Sequence, residues 1–400
     1  MSHESQIKNL LEKGVSRIID RESLEAKLAS GKPLRIKFGI DPTGTIMHLG
    51  HAVPIMKLRQ FQDLGHHIII LIGDATAQVG DTSDKDAERP MLEREQTRKN
   101  AESYVAKFGK ILDVSKVEIY YNSEGLDKIN FCGVGELAKH FSVAEMLDRD
   151  NFSKRYKAGI RISLQEFLYP IMQGYDSVAL KADVELGGND QYFNLLAGRK
   201  LQEAFGQPKQ DIMTFDLLMG PDGKKMSKTG GNTIAVDMEP NAMFVKLMEV
   251  NDDLILDYFR LATTLTLEEI EPFKARLESG ENPRNVKLEL ARTVVTFYHG
   301  AEAAEAGRAY FEKVLSEGVM PSEDEMEKAY VEAEEITLLT LVKAIGFAAT
   351  TGEAKTAING GGTKVNGEKI VDERAPVKLS KDKGTVVQVG KKKFKLVFAK

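Results

Sequence analysis

Phosphate chemistry is the business suggested by two short stretches of this 400-residue chain, one carrying His48 and His51, the other Lys224-Lys225-Met226-Ser227-Lys228-Thr229. An imidazole can donate a hydrogen bond to a phosphate oxygen. Lysines on a loop flanked by glycine, here Gly223 on one side and Gly230-Gly231 on the other, can swing onto a phosphate chain and stabilise charge that develops during its cleavage. Taken singly, each stretch has a blander reading: a capped strand-to-helix junction, and a solvated basic loop. A third group of polar residues lies between them, where Tyr169, Gln173 and Asp176 follow one another at steps of four and three.

The elements that would position these groups are legible around them. Leu34, Ile36, Phe38 and Ile40 alternate with Arg35, Lys37 and Gly39, the period of a strand with two different faces. Asp41-Pro42-Thr43-Gly44 ends it. Val53, Met56, Leu58, Phe61 and Leu64 then have helical spacing over residues 52–64, so the histidines fall at a helix start, where unpaired N–H groups favour anions. Residues 163–183 read as a helix with an apolar face of Leu164, Phe167, Leu168, Ile171, Met172, Tyr175 and Val178. Tyr169, Gln173 and Asp176 would project from it as one stripe, able to grip a small zwitterion with a polar tail.

His48-Leu49-Gly50-His51 and Lys225-Met226-Ser227-Lys228-Thr229 resemble the two signature sequences of class I aminoacyl-tRNA synthetases, in the right order and about one doubly wound domain apart. Tyr169 to Asp176 is similar to the tyrosine-binding helix of the tyrosyl-tRNA synthetases. The segment from Val79 to Arg89 resembles that family's Gly-Asp-Pro-Ser-Gly loop, and Leu186-Gly187-Gly188-Asn189-Asp190-Gln191 its Gly-Gly-Ser-Asp-Gln pattern.

The resemblance implies roles residue by residue. Tyr169 and Gln173 would hold the substrate ammonium together with Asp81, and Asp176 would accept a hydrogen bond from the phenol. Gln191 would meet the tyrosyl carboxylate or the α-phosphate. Thr43, His48, Lys85, Arg89, Lys225 and Lys228 would stabilise the transferring and leaving phosphates, with His51 on the nucleotide. Gly39, Asp41, Gly50, Met226 and Ser227 would border ATP, and Asp190 its ribose. Magnesium would arrive with ATP. Many relatives have Tyr where this chain has Lys37, which would either donate to the phenolic oxygen or pair with Asp176 and orient it. Phe38, Thr82 and Asp84 also depart from the family pattern.

Length and composition fit several domains and a large core. The single cysteine, Cys132, excludes a disulfide scaffold and a thiolate zinc cluster. No long apolar run or cleavable signal is visible, so a cytoplasmic protein with no membrane partner is expected. The net charge of −5 conceals a segregation: residues 336–400 hold 13 Lys and Arg against 5 Asp and Glu, leaving 42 against 55 in residues 1–335. A basic module on an acidic body suits a nucleic-acid partner.

The expected fold is α/β. A Rossmann-like doubly wound parallel sheet over residues 1–235 precedes an α-helical domain over residues 236–330, which by position in the family would face the anticodon. A small basic α+β domain over residues 331–400 resembles the RNA-binding fold of ribosomal protein S-four. The acidic run from Pro321 to Glu335 reads as a helix end and a linker. Asn366-Gly367 marks a tight hairpin. Lys355, Lys364, Lys369, Lys391, Lys392 and Lys393 would meet tRNA phosphates, the terminal lysines alternatively forming a solubilising tail. The resemblance further implies L-tyrosine and tRNA(Tyr) as substrates and a homodimer, with the apolar residues from Phe131 to Met146 as its candidate interface. The alternatives are the related tryptophanyl enzymes and an RNA-binding scaffold without catalysis.

Overall fold

The computed structural model describes residues 2–42, 46–81, 92–226, 231–316, 321–348, 350–390 and 393–400. They form two compact units, one from residues up to Leu218 together with Arg260–Glu271, the other from Met219–Phe259 and Pro272–Lys400.

The first unit is built on six strands: β1 (Val15–Ile19), β2 (Arg35–Ile40), β3 (His67–Ile72), β4 (Val117–Tyr121), β5 (Val184–Gly188) and β6 (Asp211–Phe215). Their order is β1-β6-β5-β2-β3-β4, parallel throughout except that β1 runs antiparallel to β6. Strands in the middle of a parallel sheet are covered on both faces and lose the apolar-polar alternation of a half-exposed strand. Thus Ile68, Ile69, Ile70 and Ile72 of β3 are all buried, and so, on β2, are both Ile36 and Lys37. The alternation read from Leu34 to Ile40 therefore located the strand but not its surroundings.

From β2 the chain winds one way through β3 and β4, and from β5 the other way to β6. In open α/β sheets the crevice beyond the carboxyl ends of the strands at such a switch point takes ligands. Asp41 follows β2, and the turn carrying Asp190 and Gln191 follows β5.

The Leu164–Leu180 helix begins at Ser163, whose hydroxyl and Glu166 form a reciprocal capping box, and ends at Lys181 in the left-handed region. Glu166 also meets the buried Arg155 at 2.5 and 3.0 Å.

The second unit holds the helices Pro240–Met248, Pro283–His299 and Ala301–Tyr310. It also carries a five-stranded sheet: β7 (Glu327–Val331), β9 (Thr363–Val365), β10 (Glu368–Lys369), β12 (Thr385–Val389) and β13 (Lys393–Ala399), in the order β10-β9-β12-β13-β7; β8 (Glu335–Thr337) pairs separately with β11 (Pro376–Lys378). Leu338, Leu341, Val342, Ala354, Ile358, Val387 and Val397 form its core. Asn366 and Gly367, both at positive φ, turn the β9–β10 hairpin, as their sequence requires.

One expectation is corrected here. The acidic run from Pro321 to Glu335 is not a linker but contributes β7, which runs parallel to β13 with Lys395 on Glu327 at 2.8 Å and Lys400 on Glu332 at 3.1 Å. Among the described residues no helix is long and apolar enough to cross a membrane.

Candidate active site

At the carboxyl end of β2, Asp41 accepts from the Tyr169 hydroxyl at 2.8 Å and from the Thr76 hydroxyl at 2.9 Å. Asn122, which follows β4, donates from Nδ2 to Thr76 Oγ1 at 3.1 Å and to Asp176 Oδ2 at 3.2 Å, and its own oxygen accepts from the Ala75 amide. A continuous chain of polar contacts thus runs from Tyr169 through Asp41, Thr76 and Asn122 to Asp176. Gly73 makes this closure possible: a Cβ there would lie 1.9 Å from Asp41 Oδ1 and 2.2 Å from Thr76 Oγ1.

Burial sets the electrostatics. Asp176 is 2 % exposed, and desolvation pushes its pKa up to about 8, opposed first by the charge of Lys37 and then by the hydrogen bond from Asn122. Burial, with Asp41 as the nearest negative charge, likewise raises the Tyr169 phenol well above its usual range. A tyrosine held neutral whose O–H is already given to Asp41 keeps its oxygen lone pairs for a cationic donor.

Close by in sequence and sheet order, Gln191 donates to Asp81 Oδ2 at 2.6 Å and accepts from Asn194 at 3.0 Å. Asp190 is exposed beside it in a single 3-10 turn spanning Asn189–Gln191. At the head of the Leu49–Asp63 helix the rings of His48 and His51 stack with centroids 3.8 Å apart. The His48 amide donates to His51 Nδ1 at 3.3 Å, and the His51 amide to the His48 carbonyl at 2.9 Å. Gly50, between them, leaves room for this stack, since a Cβ there would press on the His48 ring at 3.1 Å.

The model of class I tRNA synthetases (W and Y) matches residues 29–316. The chain is 46% identical over 396 residues to a tyrosine–tRNA ligase of Oleidesulfovibrio alaskensis, covering 98% of both chains. It is 47% identical over 392 residues to that of Haemophilus ducreyi, covering 98% of this chain and 97% of the other. The chain belongs to the tyrosyl-tRNA synthetase family. Its fold is also that of a C-terminally truncated mitochondrial tyrosyl-tRNA synthetase of Aspergillus nidulans, with a TM-score of 0.65 at 23% identity, over 77% of this chain and 94% of that one.

For a tyrosyl-tRNA synthetase the expected residues fall as follows. Tyr169, Gln173, Asp176, Asp41, Asp81 and Gln191 all lie in the first unit, as do Gly39, His48, Gly50, His51 and Asp190. Lys225 and Met226 belong to the second unit, where Lys225 bridges Met219 and the preceding turn is tied by Asn232 donating to Asp222 at 2.8 Å. Thr43, Lys85, Arg89, Ser227, Lys228, Lys391 and Lys392 lie outside the described residues.

One expectation changes. Lys37 forms no ion pair with Asp176: its ammonium is fully buried on Glu185 Oε1 at 2.9 Å, Ser177 Oγ at 2.8 Å and the Gln173 carbonyl at 3.1 Å. On the basic module Lys355, Lys364, Lys369 and Lys393 are all exposed, with Lys355 also meeting Glu373 at 3.0 Å and Lys393 donating to the Phe347 carbonyl at 3.1 Å.

Thr76, Asn122, Glu185, Ser177 and Gln210 escaped the sequence reading. Asn122 had a signal: it is the first polar side chain after the strand Val117–Tyr121, at the end where ligands bind in such sheets.

Proposed function

We infer that the chain is a tyrosine–tRNA ligase, an enzyme that joins L-tyrosine to ATP, releasing pyrophosphate, and passes the tyrosyl group to the 3′ end of tRNA(Tyr). The observation that carries this reading is the polar chain from Tyr169 to Asp176, which offers acceptors for an ammonium at one end and a buried carboxyl group for a phenol at the other.

In the first step the tyrosine carboxylate attacks the α-phosphorus and pyrophosphate leaves in line, so the protein needs no nucleophile of its own. Tyr169, Asp81 and the Gln173 oxygen receive the ammonium, Gln191 the carboxylate or α-phosphate region, and Asp176 the phenolic hydrogen. His48 and Thr43 stabilise the charge growing on the phosphates, together with Lys85, Arg89, Lys225 and Lys228. His51, Gly50, Gly39 and Asp41 border the nucleotide, Asp190 its ribose, and Met226 and Ser227 carry the lysine loop. The part of that loop rests on its signature sequence. Magnesium enters as the counter-charge of the triphosphate; among the described residues no cluster of three or more His, Cys, Asp or Glu could hold a metal ion.

The domain assignment we propose is a catalytic domain over residues 1–235, a helical anticodon-facing domain over residues 236–330 and an S-four-like RNA-binding domain over residues 331–400, with β7 (Glu327–Val331) transferred to the last because it pairs with β13. The last reading draws support from register: Lys364 and Lys369 lie directly opposite each other on β9 and β10, a like-charge pairing that a polyanion relieves. A cytoplasmic homodimer is the proposed form. Phe131 at 92% and Val143 at 66% exposure support an interface there, while Leu137 and Met146 of the same stretch belong to the core.

Exchange of labelled pyrophosphate into ATP, run with each of the twenty amino acids, tests the ligase reading. Exchange with tyrosine alone is expected. Exchange with tryptophan alone would move the chain to the sister enzymes, and none at all would leave an RNA-binding scaffold.

A further inference from the structure

Lys37 and Glu185 face each other in register on the adjacent parallel strands β2 and β5, and both are almost completely buried, at 0% and 1% exposure. Every hydrogen on the Lys37 ammonium is accounted for by its three acceptors, Glu185, Ser177 and the Gln173 carbonyl. Glu185 is equally saturated. Its Oε1 accepts from Lys37 and from Gln173 Nε2 at 3.2 Å, and its Oε2 from the Ser177 hydroxyl at 3.0 Å and from Gln210 Nε2. Space for this cluster is left by Gly198, where a Cβ would stand 2.4 Å from Gln210 Nε2 and 2.8 Å from Ser177 Oγ.

A buried ion pair is expensive to desolvate and is often no more stabilising than a well-packed apolar pair, so its presence in the middle of the sheet calls for another reason. Its neighbours supply one. The pair grips Gln173 twice, by side chain and by carbonyl. One turn along the same helix, Asp176 feels Lys37 as the strongest influence opposing its burial. The other charged and titratable groups facing Asp176 are Glu185 on β5, Asp41 after β2, Tyr120 on β4 and Tyr169 on its own helix. All but Lys37 are acidic, so among these charged and titratable groups Lys37 alone favours an ionised Asp176, beside the neutral hydrogen bond from Asn122. We propose that the buried Lys37–Glu185 pair is the specificity-determining support of the pocket, fixing the Gln173 amide and favouring the form of Asp176 that accepts from a substrate hydroxyl. Lys37 is thus a positioning residue, closer to the second of the two roles its sequence left open, but acting through Glu185 and Gln173 and without an ion pair to Asp176.

The inference rests on the ligase reading, and one experiment separates them. Pyrophosphate exchange with tyrosine and with phenylalanine is followed across about pH 6 to 9 for the wild type, for Glu185→Gln, and for the double variant Lys37→Gln with Glu185→Gln. The ratio of the two kcat/KM values cancels the steps both substrates share. Wild-type exchange with tyrosine tests the reaction; a failure there sinks the ligase reading alone. In the double variant the ratio should fall at least about tenfold, carried by KM, and the midpoint of its rise with pH should move to higher pH, because Lys37, whose influence on Asp176 exceeds that of Glu185, is lost. In Glu185→Gln the midpoint should move the other way, since a negative neighbour is gone and the lysine stays. Ratios within about twofold of wild type and an unmoved midpoint in both folded variants would overturn the proposal. If the double variant does not fold, an unmoved or alkaline-shifted midpoint in Glu185→Gln overturns it by itself.

Discussion

Lys37 and Lys364 each stand on a strand directly opposite another charged residue, yet the two pairings are opposite in sign and surroundings. Lys37 faces Glu185 within a covered parallel sheet, and all its hydrogen-bonding capacity is consumed inside the protein. Lys364 faces Lys369 on an exposed hairpin, and the repulsion between them is left for solvent ions or an anionic partner to screen. The first arrangement shapes which small molecule is accepted, through a few groups that cannot be exchanged. The second supplies attraction that is additive, salt-dependent and tolerant of loss.

The sharpest way to break this contrast is at Asp176, the group the buried network supports. Asp176→Ala should collapse the preference for tyrosine over phenylalanine by about ten-thousandfold, a magnitude characteristic of synthetases of this type rather than one deduced from these distances. Pyrophosphate-exchange kinetics with the two amino acids read it directly. A variant that still prefers tyrosine as the wild type does would place phenol recognition elsewhere.

The same group gives the network a signature in stability. In the unfolded chain an aspartate ionises near 3.8, whereas burial keeps Asp176 protonated up to about pH 8. Between those values the native chain binds a proton that the unfolded chain has released, so stability is lost as pH rises through that window. The loss is on the order of a few kcal/mol. Urea unfolding at a series of pH values should show it in the wild type and show a flatter dependence in Asp176→Asn. Equal slopes would mean that the carboxyl group is ionised in the folded chain as well.

How far the contrast could be read from sequence differs between its two halves. The Leu164–Leu180 helix was legible because its signals are local: a Ser163–Glu166 capping box and an apolar face at three- and four-residue steps. The Asn366-Gly367 hairpin was legible for the same reason. The partner of Lys37 was not, because Glu185 is 148 positions away and meets it only through strand register. Thr76 and Asn122 are single polar residues whose importance comes from converging on Asp41 and Asp176. The β7 strand was mistaken for a linker because it is an edge strand, and edges are commonly charged to discourage pairing with other chains; Glu327, Lys328 and Glu332 make it look like solvent-exposed coil.

That misreading changes where the molecule should be cut. Removing residues 336–400 would strip β13 from β7 and leave an unpaired edge, so the cleaner deletion is of residues 322–400. It should lower tRNA charging about tenfold or more at moderate salt while tyrosine-dependent pyrophosphate exchange persists. Charging equal to that of the whole chain would remove the module from tRNA binding.

Within the module the expected effect of any one lysine is small. Lys364→Ala should weaken tRNA binding by a few-fold at low salt, nearly equally for different tRNA sequences, and reduce the slope of log affinity against log salt by about one. It should also slightly stabilise the hairpin, because the charge opposite Lys369 is gone. Filter binding across a salt series and thermal unfolding without RNA measure the two effects together. Weaker binding with an unchanged salt slope would mean that Lys364 contributes shape rather than charge, and the distinction between an exposed, additive lysine and the buried, indispensable Lys37 would have to be redrawn at this hairpin.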